Sequence, residues 1–555
     1  MRKLTILLSI CMISLFACPL ESREDSDTLE ITKEDVVKAQ ELIGFEFTES
    51  EIDSMLEELN TNLGFYSDMR QVEIDNSVPP ALIFNPILAG MEFETEEKPI
   101  KLSAAGNVKR PDDSDDLAFY SVRDLAELVR TRQVTSMELT ELALERLKKY
   151  DPQLHCVVTL TEDLALEQAA RADAEIAAGK YRGPLHGIPY GAKDLLAVKE
   201  YKTTWGAEPY KEQIIDYDAT VIQKLEDAGA VLVAKLSLGA LAWGDVWFKD
   251  TTRNPWNLEQ GSSGSSAGSA AAVSAGLVSF AIGTETWGSI VSPSTRCGTT
   301  GLRPSFGRVS RTGAMALSWS MDKIGPICRT VEDCAIVFDA IRGPDGLDQS
   351  VTDLPFNYDH QLFPDQVRIG YLKKDFENDT MYYAQNMTAL EMMRALGFDL
   401  VEIDLPDMPV NPMQIVLSAE AAAAFDELTR SGRDDLMVRQ IKNAWPNVFR
   451  ASRFIPAVEY IQANRLREMA VDSMAVIMEN IDVYISPTFE GDNLLLTNLT
   501  GHPCVALPNG FAENGTPVSI TFIGGLYDEA TLLSVAKMYQ DATEFHLKHP
   551  PLFEE

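Results

Sequence analysis

Residues 261–276 read GSSGSSAGSAAAVSAG, and no other stretch restricts the fold of this chain as strongly. A Gly/Ser run is ordinarily a flexible linker. Here it passes directly into Ala270-Ala271-Ala272-Val273, whose small side chains suit an element packed closely against its neighbours. An apolar, strand-like segment follows from Phe280 and ends in Glu285-Thr286-Trp287-Gly288-Ser289-Ile290. A strand that ends in a Gly-flanked serine exposes a hydroxyl beside backbone N–H groups, an arrangement suited to a nucleophile and its oxyanion.

Two other serine patterns compete with this one. Gly264-Ser265-Ser266-Ala267-Gly268 fits the G-x-S-x-G nucleophile elbow, which requires a buried strand just before it. The preceding Asn254-Pro255-Trp256-Asn257-Leu258-Glu259-Gln260 does not read as one. Ser320-Met321-Asp322-Lys323 fits S-x-x-K, yet the chain has no S-D-N or K-T-G partner, and that reading is discarded.

Further motifs occur in a fixed order around the serine-rich stretch. Gly187-Ile188-Pro189-Tyr190-Gly191-Ala192-Lys193-Asp194 and Asn254-Pro255-Trp256-Asn257 precede it. Asp322-Lys323-Ile324-Gly325-Pro326, Asn498-Leu499-Thr500-Gly501-His502-Pro503 and Pro508-Asn509-Gly510 follow it. Together with GTETWGSIVSPSTRCGTTGLRPS from Gly283 to Ser305, this string resembles the amidase signature family over roughly residues 117–555. The resemblance implies an α/β fold, with a mixed sheet and helices on both faces, and hydrolysis of a carboxylic amide C–N bond. It implies no metal or organic cofactor. It places a catalytic triad on Lys193, Ser265 and Ser289, with a cis Gly264–Ser265 peptide. The backbone N–H groups of Thr286, Trp287, Gly288 and Ser289 fall at its oxyanion hole. The spacing 289 − 265 = 24 suits the family register and selects Ser265 over Ser266. Trp287 stands where many members carry Gly or Asp. Its backbone can still donate, while its side chain either lines the acyl pocket or packs beneath the loop.

The chemistry is coherent apart from the resemblance. A serine hydroxyl is a poor nucleophile until a base accepts its proton. None of the six histidines has an evident Asp partner in the sequence, so a Ser-His-Asp arrangement has no candidate. A buried lysine can be neutral near pH 7 because desolvation lowers its pKa. Lys193 follows an apolar segment and can take the Ser289 proton through Ser265. The alternatives are a glutaminase-type subunit of a tRNA-dependent amidotransferase, an esterase, and a non-catalytic envelope binding lipoprotein. The intact Lys193, Ser265 and Ser289 set weighs against the last.

The remaining sequence sets the organisation. At 555 residues the chain exceeds the size at which one core stops growing. Arg2 and Lys3 precede an apolar run, Leu4 to Phe16, too short to span a bilayer comfortably. Leu15-Phe16-Ala17-Cys18 resembles a bacterial lipobox, so residues 1–17 read as a signal peptide and Cys18 as a lipidated N-terminus facing the cell envelope. Residues 18–116 read as a tether and helical appendage, in which Thr48-Glu49-Ser50-Glu51 is a capping box and Ile52, Met55, Leu56 and Leu59 share a face. The catalytic domain is placed at 117–555. Thr135 to Glu138 caps another helix, and helices then alternate with short apolar strands. A formal charge of −36 argues against nucleic acid as a partner. A small-molecule or peptide amide is the expected substrate. Cys156, Cys297, Cys328, Cys334 and Cys504 show no zinc-ligand spacing and read as mostly buried thiols.

Overall fold

The computed structural model describes residues 30–553. The lipobox and Cys18 lie outside them. Two compact units divide between Ile74 and Asp75. In the first, helices Lys33–Ile43 and Glu49–Met69 each begin with a capping box, Thr32 with Asp35 and Thr48 with Glu51. Ile52 is buried, and Met55, Leu56 and Leu59 on the same face are partly buried.

The second unit begins well before the expected boundary at 116/117. Residues 75–116 contain little regular structure and run along the rest of this unit. Side-chain hydrogen bonds hold them there, among them Lys98 N–H to Asn357 Oδ1 at 2.8 Å and Ser103 Oγ to Glu332 Oε2 at 2.6 Å. An extended segment fixed residue by residue shows no periodic pattern, which is why its attachment is not legible in the sequence.

The strands of this unit, in chain order, are β1 (Val157–Leu160), β2 (Pro189–Lys193), β3 (Val231–Leu236), β4 (Arg253–Asn254), β5 (Asn257–Gly261), β6 (Phe280–Glu285) and β7 (Thr300–Arg303). They continue with β8 (Lys323–Cys328), β9 (Ile369–Leu372), β10 (Leu400–Ile403), β11 (Val483–Pro487), β12 (Cys504–Phe511) and β13 (Pro517–Gly524). Eleven form one mixed sheet in the order β1-β3-β2-β6-β8-β7-β12-β13-β11-β9-β10, with helices on both faces; β4 and β5 pair separately. In the half that carries the serine motifs, β3, β2 and β6 run parallel, and β8 joins them antiparallel. Every residue of these four strands is buried, as expected of strands covered on both faces.

The small-residue stretch forms helix Ala267–Ser274, all of it buried. A Cβ at Gly268 would lie 2.5 Å from both Cys156 O and Ser237 N, so backbone runs against backbone there. Ser265 is not preceded by a buried strand: β5 is mostly half-exposed and belongs to the small separate hairpin, in agreement with rejection of the nucleophile-elbow reading. The five described cysteines are free and buried.

Candidate active site

Parallel pairing of β2 with β6 brings their C-terminal ends to the same edge of the sheet, with Ala192 opposite Ile282. Lys193 is the last residue of β2, and Thr284 and Glu285 close β6. The turn from β5 into helix Ala267–Ser274 delivers Ser265 and Ser266 to this edge. The Gly264–Ser265 peptide in that turn is cis, as the resemblance implied.

Lys193 is completely buried. Its Nζ lies 2.8 Å from Ser265 Oγ, 3.0 Å from Ser266 Oγ and 2.8 Å from Thr284 Oγ1. Burial lowers its pKa to about 7, against the opposing pull of the Asp322 and Glu285 charges. A second lysine, Lys235, is equally buried but forms a 2.7 Å ion pair with Asp194. Lys193 has no such partner among the described residues: all its hydrogen-bond acceptors are neutral oxygens.

The two neighbouring serines differ in what their hydroxyls already do. Ser266 Oγ donates to Thr284 O and accepts from Thr284 N–H, both at 3.1 Å, which clamps it to β6. Among the described residues, the Ser265 hydroxyl hydrogen-bonds only to Lys193.

Ser289 sits on the loop between β6 and helix Val291–Cys297 and is 8% exposed. Its carbonyl accepts the Ser266 N–H at 3.1 Å, tying the two serine loops together. The Ser289 and Ser265 hydroxyls are not hydrogen-bonded to each other. Gly288 holds φ at +83°, a conformation that favours glycine and turns the loop at this point. The N–H groups of Trp287, Gly288 and Ser289 donate to no protein acceptor among the described residues. Trp287 is 38% exposed, so its side chain does not pack beneath the loop.

Sequence reasoning gave no role to the groups that shape this loop. Glu285 accepts hydrogen bonds from the N–H groups of Ile290 and Val291 at 2.8 and 2.9 Å, and from Arg303 and Asn498 at 2.9 Å each. Burial alone would raise its pKa, but Arg303 and these donors pull it down to about 2, so it is a fixed anion. Asp322 accepts from Thr286 Oγ1 at 2.5 Å and from the N–H groups of Leu317 and Ser318 at 2.8 and 3.0 Å. A glutamate closing an otherwise apolar, buried strand signals a buried cation elsewhere, though not which one. No serine hydroxyl bonds a histidine ring among the described residues. Two histidine–aspartate contacts are present among the described residues, His155 to Asp250 at 3.4 Å and His360 to Asp359 at 3.9 Å, and both are partly exposed. No group of three His, Cys, Asp or Glu is placed to hold a metal ion among the described residues.

A cavity of about 970 Å³ opens beside the site, lined by Thr284, Thr286 and Asp322 and by Leu195, Met315 and Leu317. It is large enough for a drug-sized molecule.

A mixed sheet that ends in a buried lysine and two serine loops defines a class that comparison with known proteins identifies. The family model described as Amidase matches residues 138–496. Similar curated proteins include one of the subunits of glutamyl-tRNA(Gln) amidotransferase from a Marinomonas species, 32% identical over 482 residues, covering 78% of this chain and 98% of that protein. Its counterpart from a Roseiflexus species is 34% identical with the same coverage. Among solved structures, native peptide amidase from Stenotrophomonas maltophilia is 29% identical with a TM-score of 0.68, covering 78% of this chain and 98% of that one. An amidase family protein from Bacillus anthracis is 26% identical with a TM-score of 0.69, covering 79% and 93%. The chain belongs to the amidase family and is an amide-hydrolysing enzyme.

Proposed function

We propose that the chain is a free-standing, exported serine amidase in which Ser289 is the nucleophile and Ser265 and Lys193 form its proton relay. The observation that carries this reading is that buried Lys193 meets the Ser265 hydroxyl, whereas buried Lys235 pairs with Asp194 and buried Lys323 donates to the Met321 carbonyl. Lys235 is neutralised by Asp194, whereas Lys193 is surrounded by neutral oxygens and poised near neutrality. A neutral amine has a lone pair and accepts the Ser265 proton. Ser265 in turn accepts the proton of Ser289 as the Ser289 Oγ attacks the amide carbonyl carbon. The two hydroxyls meet when the Ser289 side chain rotates towards Ser265, a tightening common on substrate binding. The carbonyl oxygen becomes an oxyanion facing the N–H groups of Thr286, Trp287, Gly288 and Ser289. The relay returns the proton to the departing nitrogen, the C–N bond breaks, and an acyl-Ser289 ester remains. Water attacks that ester along the same relay, releasing the acid and restoring the Ser289 hydroxyl.

A glutaminase role within a tRNA-dependent amidotransferase is the second reading, favoured by the curated relatives at 32–34% identity. The net charge of −36 disfavours RNA beside the active site. The export signal read from the first residues separates the chain from charged tRNA and ATP. Purified mature chain, with neither partner nor ATP, is expected to hydrolyse at least one simple amide or anilide and to label at Ser289 with a fluorophosphonate. Inertness across a broad panel, relieved only by a co-purified cytoplasmic partner, decides for the amidotransferase.

The export reading rests on Leu15-Phe16-Ala17-Cys18. Cys18→Ser is expected to move the protein from the membrane to the soluble fraction. An unacylated mature N-terminus at another residue, found by mass spectrometry, refutes it.

A further inference from the structure

The cavity beside the site has a wall that the family region does not supply. Pro79, Pro80, Leu82 and Ile83 line it, and the family model begins only at residue 138. This segment is fastened at both ends. Asn76 Oδ1 accepts the Ala316 N–H at 2.8 Å, while Asn76 Nδ2 donates to Ala316 O at 3.0 Å and to Ala424 O at 3.3 Å. The side chain thus pairs with residue 316 as a strand neighbour would. At the other end Phe84 packs edge-on against Phe306, ring centroids 5.2 Å apart, and its ring lies under the Arg467 guanidinium at 3.5 Å. Pro79 and Pro80 stiffen the span between the anchors. Across that span the chain exposes apolar side chains, with Leu82 at 83% and Ile83 at 48%. Ala316 stands between Met315 and Leu317, which line the same cavity, so the Asn76 latch fixes the strap to the cavity wall.

We propose that residues 75–83 are a specificity wall of this enzyme and that the strap receives a bulky apolar substituent of the amide substrate. The inference rests on the amidase reading above and extends it to a substrate class. Four apolar strap residues share the cavity with Leu195, Met315 and Leu317. Three carboxylates at that end already accept hydrogen bonds: Asp345 from Ser310 and Thr220, Asp348 from Arg311, and Asp218 from the Lys199 N–H. Asp348 is paired with the Arg311 guanidinium, and both oxygens of Asp345 accept hydrogen bonds. Thr284, which accepts a hydrogen bond from Lys193, and Thr286, on the oxyanion loop, line the same space, so the cavity that the strap walls extends to residues of the site.

The test uses the full mature chain and two variants, Asn76→Ala, which releases the latch, and Leu82→Ser/Ile83→Ser, at exposed positions where folding is least at risk. Hydrolysis of the 4-nitroanilides of octanoate and acetate is compared. In each variant the octanoyl-to-acetyl ratio of kcat/KM is expected to fall about five- to tenfold, the scale of losing part of an apolar contact. Binding of N-phenyl-1-naphthylamine, a neutral apolar fluorophore, is measured in parallel, and its Kd is expected to rise several-fold. A ratio and a Kd that both stay at the wild-type values in the double variant overturn the proposal. Wild-type chain that hydrolyses neither anilide counts against the amidase reading alone, because the fluorophore still reports whether the strap walls an apolar site.

Discussion

Ser289→Ala is expected to lower kcat by roughly four to six orders of magnitude, the loss seen when a nucleophile is removed from a cooperating triad. The fold should be almost indifferent to the change. The Ser289 hydroxyl makes no hydrogen bond among the described residues, and the loop is held by its backbone and by Glu285, through the bonds to Ile290 and Val291 and the Ser289 carbonyl on Ser266 N–H. A stability change within about 0.5 kcal/mol is therefore expected from denaturant titration. Near-wild-type turnover by Ser289→Ala would sink the mechanism, and unfolding of the variant would overturn the expected indifference of the fold. Ser265→Ala should cost less than Ser289→Ala, since the nucleophile survives and a water can bridge to the lysine.

Lys193→Met is expected to abolish turnover, by on the order of 10³- to 10⁵-fold, and at the same time to stabilise the protein. The sign follows from proton binding. Burial lowers the Lys193 pKa from 10.5 to about 7. Between pH 7 and 10.5 the unfolded chain therefore binds more protons than the folded one, and stability rises with pH. The lysine destabilises the fold most at and below pH 7, and this penalty fades as pH approaches 10.5. Removing it should raise Tm at pH 7, less whatever is lost with its hydrogen bonds, and the gain should vanish near pH 10.5. The same protonation predicts that wild-type kcat/KM rises with pH and levels off above an apparent pKa near 7, because only the neutral amine accepts the Ser265 proton. Lys235→Met provides the contrast. It strands Asp194 as a buried, uncompensated anion, and breaking such a pair typically costs about 3–5 kcal/mol. Thermal melts of the two variants across pH decide the matter: a loss of stability in Lys193→Met equal to that in Lys235→Met would make Lys193 a structural lysine.

Much of the local structure was written in the chain itself. The Thr48/Glu51 and Thr135/Glu138 capping boxes form as read, because a cap depends on residues three apart and little else. The serine-rich run is a packed helix because its side chains are too small to be held off by neighbouring backbone. The order of motifs was enough to expect Lys193, Ser265 and Ser289 together. What spacing alone could not distinguish was the fate of each side chain. Lys193 and Lys235 both lie in buried strands, and only the parallel pairing of β2 with β3 sets Asp194 beside one and leaves neutral oxygens around the other. Ser265 and Ser266 are adjacent, yet the turn directs one hydroxyl into a clamp on Thr284 and leaves the other to the lysine. Glu285 meets Arg303 and Asn498, and Asn76 meets Ala316, across separations of up to 240 residues. Capping, helix periodicity and small-residue packing act over a few residues and can be read in sequence. The charge partner of a buried group, and the far wall of the cavity beside a nucleophile, come from segments brought together only when the sheet closes around them.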